Sequence, residues 1–138
     1  MKPWHEKYLG KPWVADPNPP ESFNCGELLR YIHKAELGID TAKIQANAAS
    51  LRECVDNMQA DIFGLLPLPA GAELQDFDSV FFGRASKYED HCGIIALTLD
   101  GPMILHCLQG AGVVLDSFND AKALGFARLL FYRHRDMA

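Results

Sequence analysis

The sequence predicts an α+β domain in which helices come first and a meandering antiparallel sheet follows. Three observations carry this. A well-capped helical segment begins near residue 24. A longer segment follows it, with apolar residues spaced alternately by four and three. Beyond residue 79 the spacing changes to short apolar runs and alternations broken by turn residues, the pattern of strands. The 138 residues are read as a single domain, 1–138, long enough to bury one core.

Residues 1–23 hold Pro12, Pro17, Pro19 and Pro20, which favour extended or irregular chain. They also hold Trp4, Tyr8 and Trp13, too much aromatic surface for a free tail, so this stretch is expected to pack across the domain. The first helix has Asn24 as its N-cap, Glu27 completing a capping-box pattern, and Gly38 past its end. Leu28, Leu29, Ile32 and Ala35 form its expected apolar face.

A second helix is expected over Thr41–Asp61. Its stripe of Ile44, Ala48, Leu51, Val55, Met58 and Ile62 suits packing on the domain's own core, with a partner seam as the alternative. Leu65–Asp78, with Pro67, Pro69 and Gly71, reads as loop. Strands are expected at Val80–Arg84, Gly93–Leu99, Met103–Leu108, Gly112–Asp116 and Phe126–Arg133, with a helical turn over Asn119–Leu124.

A composition of 49% hydrophobic and 22% charged residues excludes a disordered chain. The net charge of -5 argues against a nucleic-acid partner and against unaided adsorption to an anionic surface. No apolar run approaches a membrane span, and Met1–Gly10 lacks the apolar core of a signal peptide, so the expected location is cytoplasmic. Four scattered cysteines, Cys25, Cys54, Cys92 and Cys107, make no disulfide framework, and no C-x-x-C supports structural zinc.

Cys25 opens the first helix, where the positive end of the helix dipole and unpaired N–H groups favour a thiolate and can receive an oxyanion. The plainer reading is a small buried apolar residue. His91 starts a strand after the polar stretch Ser86–Asp90, a common position for catalytic groups. His106 lies on the next strand. A hairpin turning at Thr98–Gly101 sets residue 106 opposite 93 and diagonal to His91, whereas a tighter Asp100–Gly101 turn moves it out of reach. In either register Cys92 and Cys107 point to the other face and read as core, as does Cys54. A zinc held by Cys25, His91 and His106 is an alternative, but no pair among them has short-range ligand spacing. No nucleophile-elbow motif supports a serine hydrolase.

The order of these features resembles the NlpC family of papain-like cell-wall cysteine peptidases, in its phage-tail branch. Tyr8-Leu-Gly-Lys-Pro-Trp13 is similar to the family's entry motif, Phe23-Asn-Cys25 to the start of its nucleophile helix, and Ala35-Glu-Leu-Gly-Ile39 to that helix's end. Asp78-Ser-Val-Phe-Phe82, His91-Cys-Gly-Ile-Ile95, Met103-Ile-Leu-His106 and Gly112-Val-Val114 resemble its successive strands. The resemblance spans nearly the whole chain. It implies a papain-like NlpC fold, with Cys25 as nucleophile, His91 as base and His106 as the group that orients the base. It further implies that Trp13, and Asn24 and Gly26 beside the nucleophile, contact substrate.

The implied activity is hydrolysis of amide bonds in peptidoglycan stem peptides, with no metal or organic cofactor. The implied carrier is a phage tail or another protein, which gives the virion tail as a second location. Three departures stand out. Asn24-Cys25-Gly26-Glu27 shifts the family's glycine by one, the serine that often follows the cysteine is missing, and the stretch before Val80 is longer. Two other readings stay open, a structural tail-assembly module without activity and a thiol amidase or acyltransferase acting outside the wall.

Overall fold

Asn24 has extended backbone, and its side chain accepts the Glu27 N–H at 2.8 Å, which starts helix α1 (Cys25–Leu37). Only this half of the capping box forms, because the Glu27 carboxylate turns to Arg30 at 3.4 Å. Gly38 ends the helix at φ 70, where its N–H bonds back to the carbonyls of His33 and Lys34. The buried face is Cys25, Leu28, Leu29, Ile32 and His33. Ala35, expected on that face, is exposed, because the stripe turns toward His33 instead.

The computed structural model describes residues 3–40, 64–83, 91–126 and 128–137. The helix expected over Thr41–Asp61, the stretch Ser86–Asp90 and Cys54 lie outside these residues. Among the described residues the architecture is α+β, with two α-helices and a six-stranded antiparallel sheet. The strands are β1 (Leu65–Pro67), β2 (Ser79–Gly83), β3 (His91–Thr98), β4 (Gly101–Leu108), β5 (Gly112–Asp116) and β6 (Arg128–His134). Helix α2 (Phe118–Ala123) precedes the last strand and is capped by Ser117, whose side chain accepts the Asp120 N–H.

The spatial order is β1-β6-β2-β3-β4-β5. Strands β2 to β5 form the expected meander, but β6 returns to pair with β2 and carries β1 on its outer edge. Leu65–Pro67 is therefore strand rather than loop. Its three residues gain their partners from Tyr132–His134, far along the chain.

One face of the sheet packs against α1. Phe81, Cys92, Ile94, Leu105, Cys107 and Val113 meet Leu28, Leu29, Ile32, Tyr8 and Phe23 there. The opposite face packs Val80, Phe82, Ile95 and Ile104 against Ala121 and Phe126. An ion pair ties β6 to the residue just before β2. The Arg133 guanidinium donates to both oxygens of Asp78, at 2.7 and 2.8 Å, and Asp78 is fully buried.

The N-terminal stretch packs across the domain as expected. Trp4–Tyr8 forms a 3-10 helix that buries Tyr8, and the following chain bonds to β5 through Gly10 N–H to Val113 and Val113 N–H to Lys11. Gly112 makes this approach possible: its φ is 81, and a Cβ there would come within 2.5 Å of the Lys11 carbonyl oxygen.

Candidate active site

The site is built from the first residue of α1 and the ends of three neighbouring strands. Helix α1 lies on β3 and β4, so its N-terminus comes against the start of β3, where His91 is the first residue. The hairpin between β3 and β4 turns at Thr98 and Gly101, which pair with each other, and Ile94 pairs with Leu105. Continued by one residue, this register sets His106 opposite Gly93. A Cβ built on Gly93 would indeed lie 3.0 Å from the Cβ of His106. His91 and His106 are thus diagonal neighbours, with Nε2 of the first 3.0 Å from Nδ1 of the second.

The chain of contacts continues to β5. There His106 pairs with Val114 and Ile104 with Asp116, so Asp116 is diagonal to His106. Nε2 of His106 lies 2.7 Å from Oδ2 of Asp116. Aromatic rings hold both imidazoles. Phe126 stacks on His91 with centroids 5.1 Å apart, and Phe82 stacks on His106 at 5.2 Å.

Cys25 is buried, with 5% of its surface exposed. Its thiol is held well below the ordinary cysteine range, first by a hydrogen bond from the Cys92 side chain. Burial opposes this, while a hydrogen bond and positive charge from His91, and the Cys92 backbone N–H, add to it. Cys25 therefore meets two successive residues of β3 whose side chains leave opposite faces, as a group lying against the strand's first residues does.

Cys107 lies on the α1 side of the sheet and donates to the Phe23 carbonyl at 3.5 Å. Burial, and then the negative charge on Cys25, push its thiol up to about 12. His106 is pushed the other way, down to about 4, by burial and then by repulsion from His91, with Asp116 opposing only in part. It is a neutral imidazole at physiological pH.

The remaining residues singled out from the sequence flank Cys25 in the chain or pack on the core that contains it. Trp13 is half-buried against the core that contains Cys25, and its backbone bridges to Phe23. Asn24 is buried and its amide is engaged at both ends, with Oδ1 on the Glu27 N–H and Nδ2 donating to the Ala15 carbonyl at 3.4 Å. Gly26 is buried in the first turn of α1. The Asn24 cap takes the Glu27 N–H and Leu28 begins the helical ladder. The N–H groups of Cys25 and Gly26 thus carry no hydrogen bond among the described residues, and they sit beside the thiol.

Sequence reasoning missed Asp116, Phe82, Phe126 and the Cys92 thiol. A signal for Asp116 did exist. Once Leu108 pairs with Gly112, parity sets residues 114 and 116 on the same face as His106. Among the described residues no cluster of His, Cys, Asp and Glu has the makings of a metal site. No protein-family model and no curated protein matches the chain.

Proposed function

We propose that the protein is a cysteine hydrolase of papain-like NlpC fold that cleaves amide bonds in peptidoglycan stem peptides, carried by a phage tail or a similar assembly. The observation that supports this best is the chain of contacts from Cys25 to His91 to His106. It joins a depressed thiol at a helix N-terminus to an imidazole, and that imidazole to a second one 3.0 Å away.

In this reading the Cys25 thiolate attacks the carbonyl carbon of the scissile amide. The carbonyl oxygen takes up the negative charge within reach of the Cys25 and Gly26 N–H groups. The His91 imidazolium then gives its proton to the departing amine, which leaves a thioester on Cys25. His91, now neutral, takes a proton from water as the water attacks the thioester. The acid product leaves, and the thiolate and imidazolium are restored. His106 does not exchange protons with substrate. It holds the His91 ring in the orientation that these transfers need.

The stem-peptide substrate and the tail association follow from the sequence resemblance. An acidic chain of net charge -5 has no electrostatic attraction to an anionic wall, which favours delivery by a carrier. The test is release of fragments from purified peptidoglycan and from defined stem peptides. Cys25→Ala and His91→Ala are expected to abolish release in folded protein, and His106→Ala to reduce it less. Release that survives Cys25→Ala overturns the reading.

A further inference from the structure

We infer that Asp116 is the outermost positioning residue of this site: its carboxylate decides which nitrogen of His106 carries the proton and, through His106, which nitrogen of His91 is left facing the thiol. The inference deepens the hydrolase reading and rests on it for its catalytic consequence, though the hydrogen-bond chain itself stands on geometry.

An ionised carboxylate only accepts hydrogen bonds. With Asp116 Oδ2 at 2.7 Å, Nε2 of His106 must therefore be the protonated nitrogen. A neutral imidazole carries one N–H, so Nδ1 of His106 is left as an acceptor. That acceptor faces Nε2 of His91 at 3.0 Å, so His91 donates there. The nitrogen of His91 that exchanges protons with Cys25 is then Nδ1. Every link has one direction, and Asp116 sets it.

The surroundings make the setting firm. His106 is fully buried, and the Asp116 side chain is 19% exposed, so solvent weakly screens the pair. Among the described residues the titratable groups near the relay are few. Strand β3 brings His91 and Cys92, and α1 brings Cys25. Strand β4 brings Cys107 on the far face, and β5 brings Asp116 itself. Strand β2 and the chain before β6 contribute only the uncharged rings of Phe82 and Phe126. The charged residues of α2, Asp120 and Lys122, are exposed at the surface. Asp116 is therefore the one carboxylate in contact with His106 among the described residues, and it acts on His91 only through that ring.

Two measurements on the whole chain test this. Histidine 15N NMR of the wild-type protein at neutral pH should show His106 protonated at Nε2 and bare at Nδ1; the opposite tautomer overturns the inference. The rate of Cys25 alkylation by iodoacetamide is then followed against pH. Asp116→Asn removes the charge that fixes the His106 tautomer and so loosens the hold of His91 on the thiol. The Cys25 alkylation midpoint should therefore move up by about one pH unit, with Asp116→Glu moving it back toward wild type. A residue that merely holds β5 in place would lower the rate at every pH without moving the midpoint, and that result also overturns the inference. The tautomer is read without any substitution, so a poorly folded variant still leaves a decisive result. Stem peptides left uncleaved while both measurements come out as expected would defeat the peptidase reading and leave the positioning role standing.

Discussion

His91 and His106 meet across the β3–β4 pair with Nε2 and Nδ1 3.0 Å apart, and the residue directly opposite His106 is a glycine. This closeness depends on Gly93. A methyl group there would lie 3.0 Å from the His106 Cβ, the Ile104 Cγ2 and the Leu105 carbonyl oxygen, and the first and last of these cannot step aside without moving β4. Gly93→Ala is expected to cost about 1–3 kcal/mol, as overpacking does, and to lower the alkylation rate of Cys25 by displacing the relay. Urea unfolding and alkylation kinetics check the two effects.

The cysteines should differ sharply in reactivity. Cys25 is held low, whereas Cys107 is pushed up to about 12 and has no exposed surface. Limiting iodoacetamide at pH 7 should label Cys25 at least roughly tenfold faster than Cys107, because each pKa unit changes the thiolate fraction about tenfold. Cys92→Ala removes the largest of the contacts that lower Cys25 and should raise the pH at which labelling begins. Mass spectrometry of labelled peptides reads both, and equal labelling of Cys25 and Cys107 counts against an activated thiol.

Acid should destabilise the fold in a defined window. His106 has its folded-state pKa lowered from 6.5 to about 4, and buried His33 is shifted in the same direction, mainly by burial. Each prefers to be neutral in the folded state, so the unfolded state binds the proton first as pH falls. Stability is then fully present above pH about 6.5 and is lost progressively as pH falls toward about 4. Urea midpoints measured across that range should drop, and His106→Gln should flatten part of the drop.

Asp78 and Arg133 provide a stability test away from the site. Asp78 is fully buried, and Arg133 supplies both of its charged hydrogen bonds. Arg133→Ala should cost about 3 kcal/mol, the low end for a broken buried pair, because the arginine side chain keeps some contact with water. A cost below about 1 kcal/mol would mean that solvent reaches the orphaned carboxylate.

Much of the framework was legible because it is written in local signals. Asn24 and Gly38 mark the ends of α1 through capping geometry that involves only near neighbours. Gly112–Asp116 has the strand limits expected from its turn glycine and apolar run, and the short α2 was displaced by a single residue. The α+β class follows from the change of apolar period along the chain. The burial of Cys92 and Cys107 follows from the alternation of β3 and β4, as does the shared face of the two histidines.

What the tertiary structure alone decided are the relations between distant residues. Leu65–Pro67 carries no strand signal of its own and becomes a strand because β6 offers it hydrogen bonds. The place of β6 beside β2, between the meander and β1, is a choice among pairings with similar local patterns. The hairpin register was ambiguous because both turns suit Asp100-Gly101, and the packing of β3 against β4 selected the one that joins His91 to His106. Asp116 came into the relay only when β5 took its register on β4, and Cys92 reached Cys25 only when α1 lay across the start of β3. Local propensity depends on a few adjacent residues, whereas a relay of charges depends on which strands pair and in what register. Those pairings are settled by burying the whole core at once.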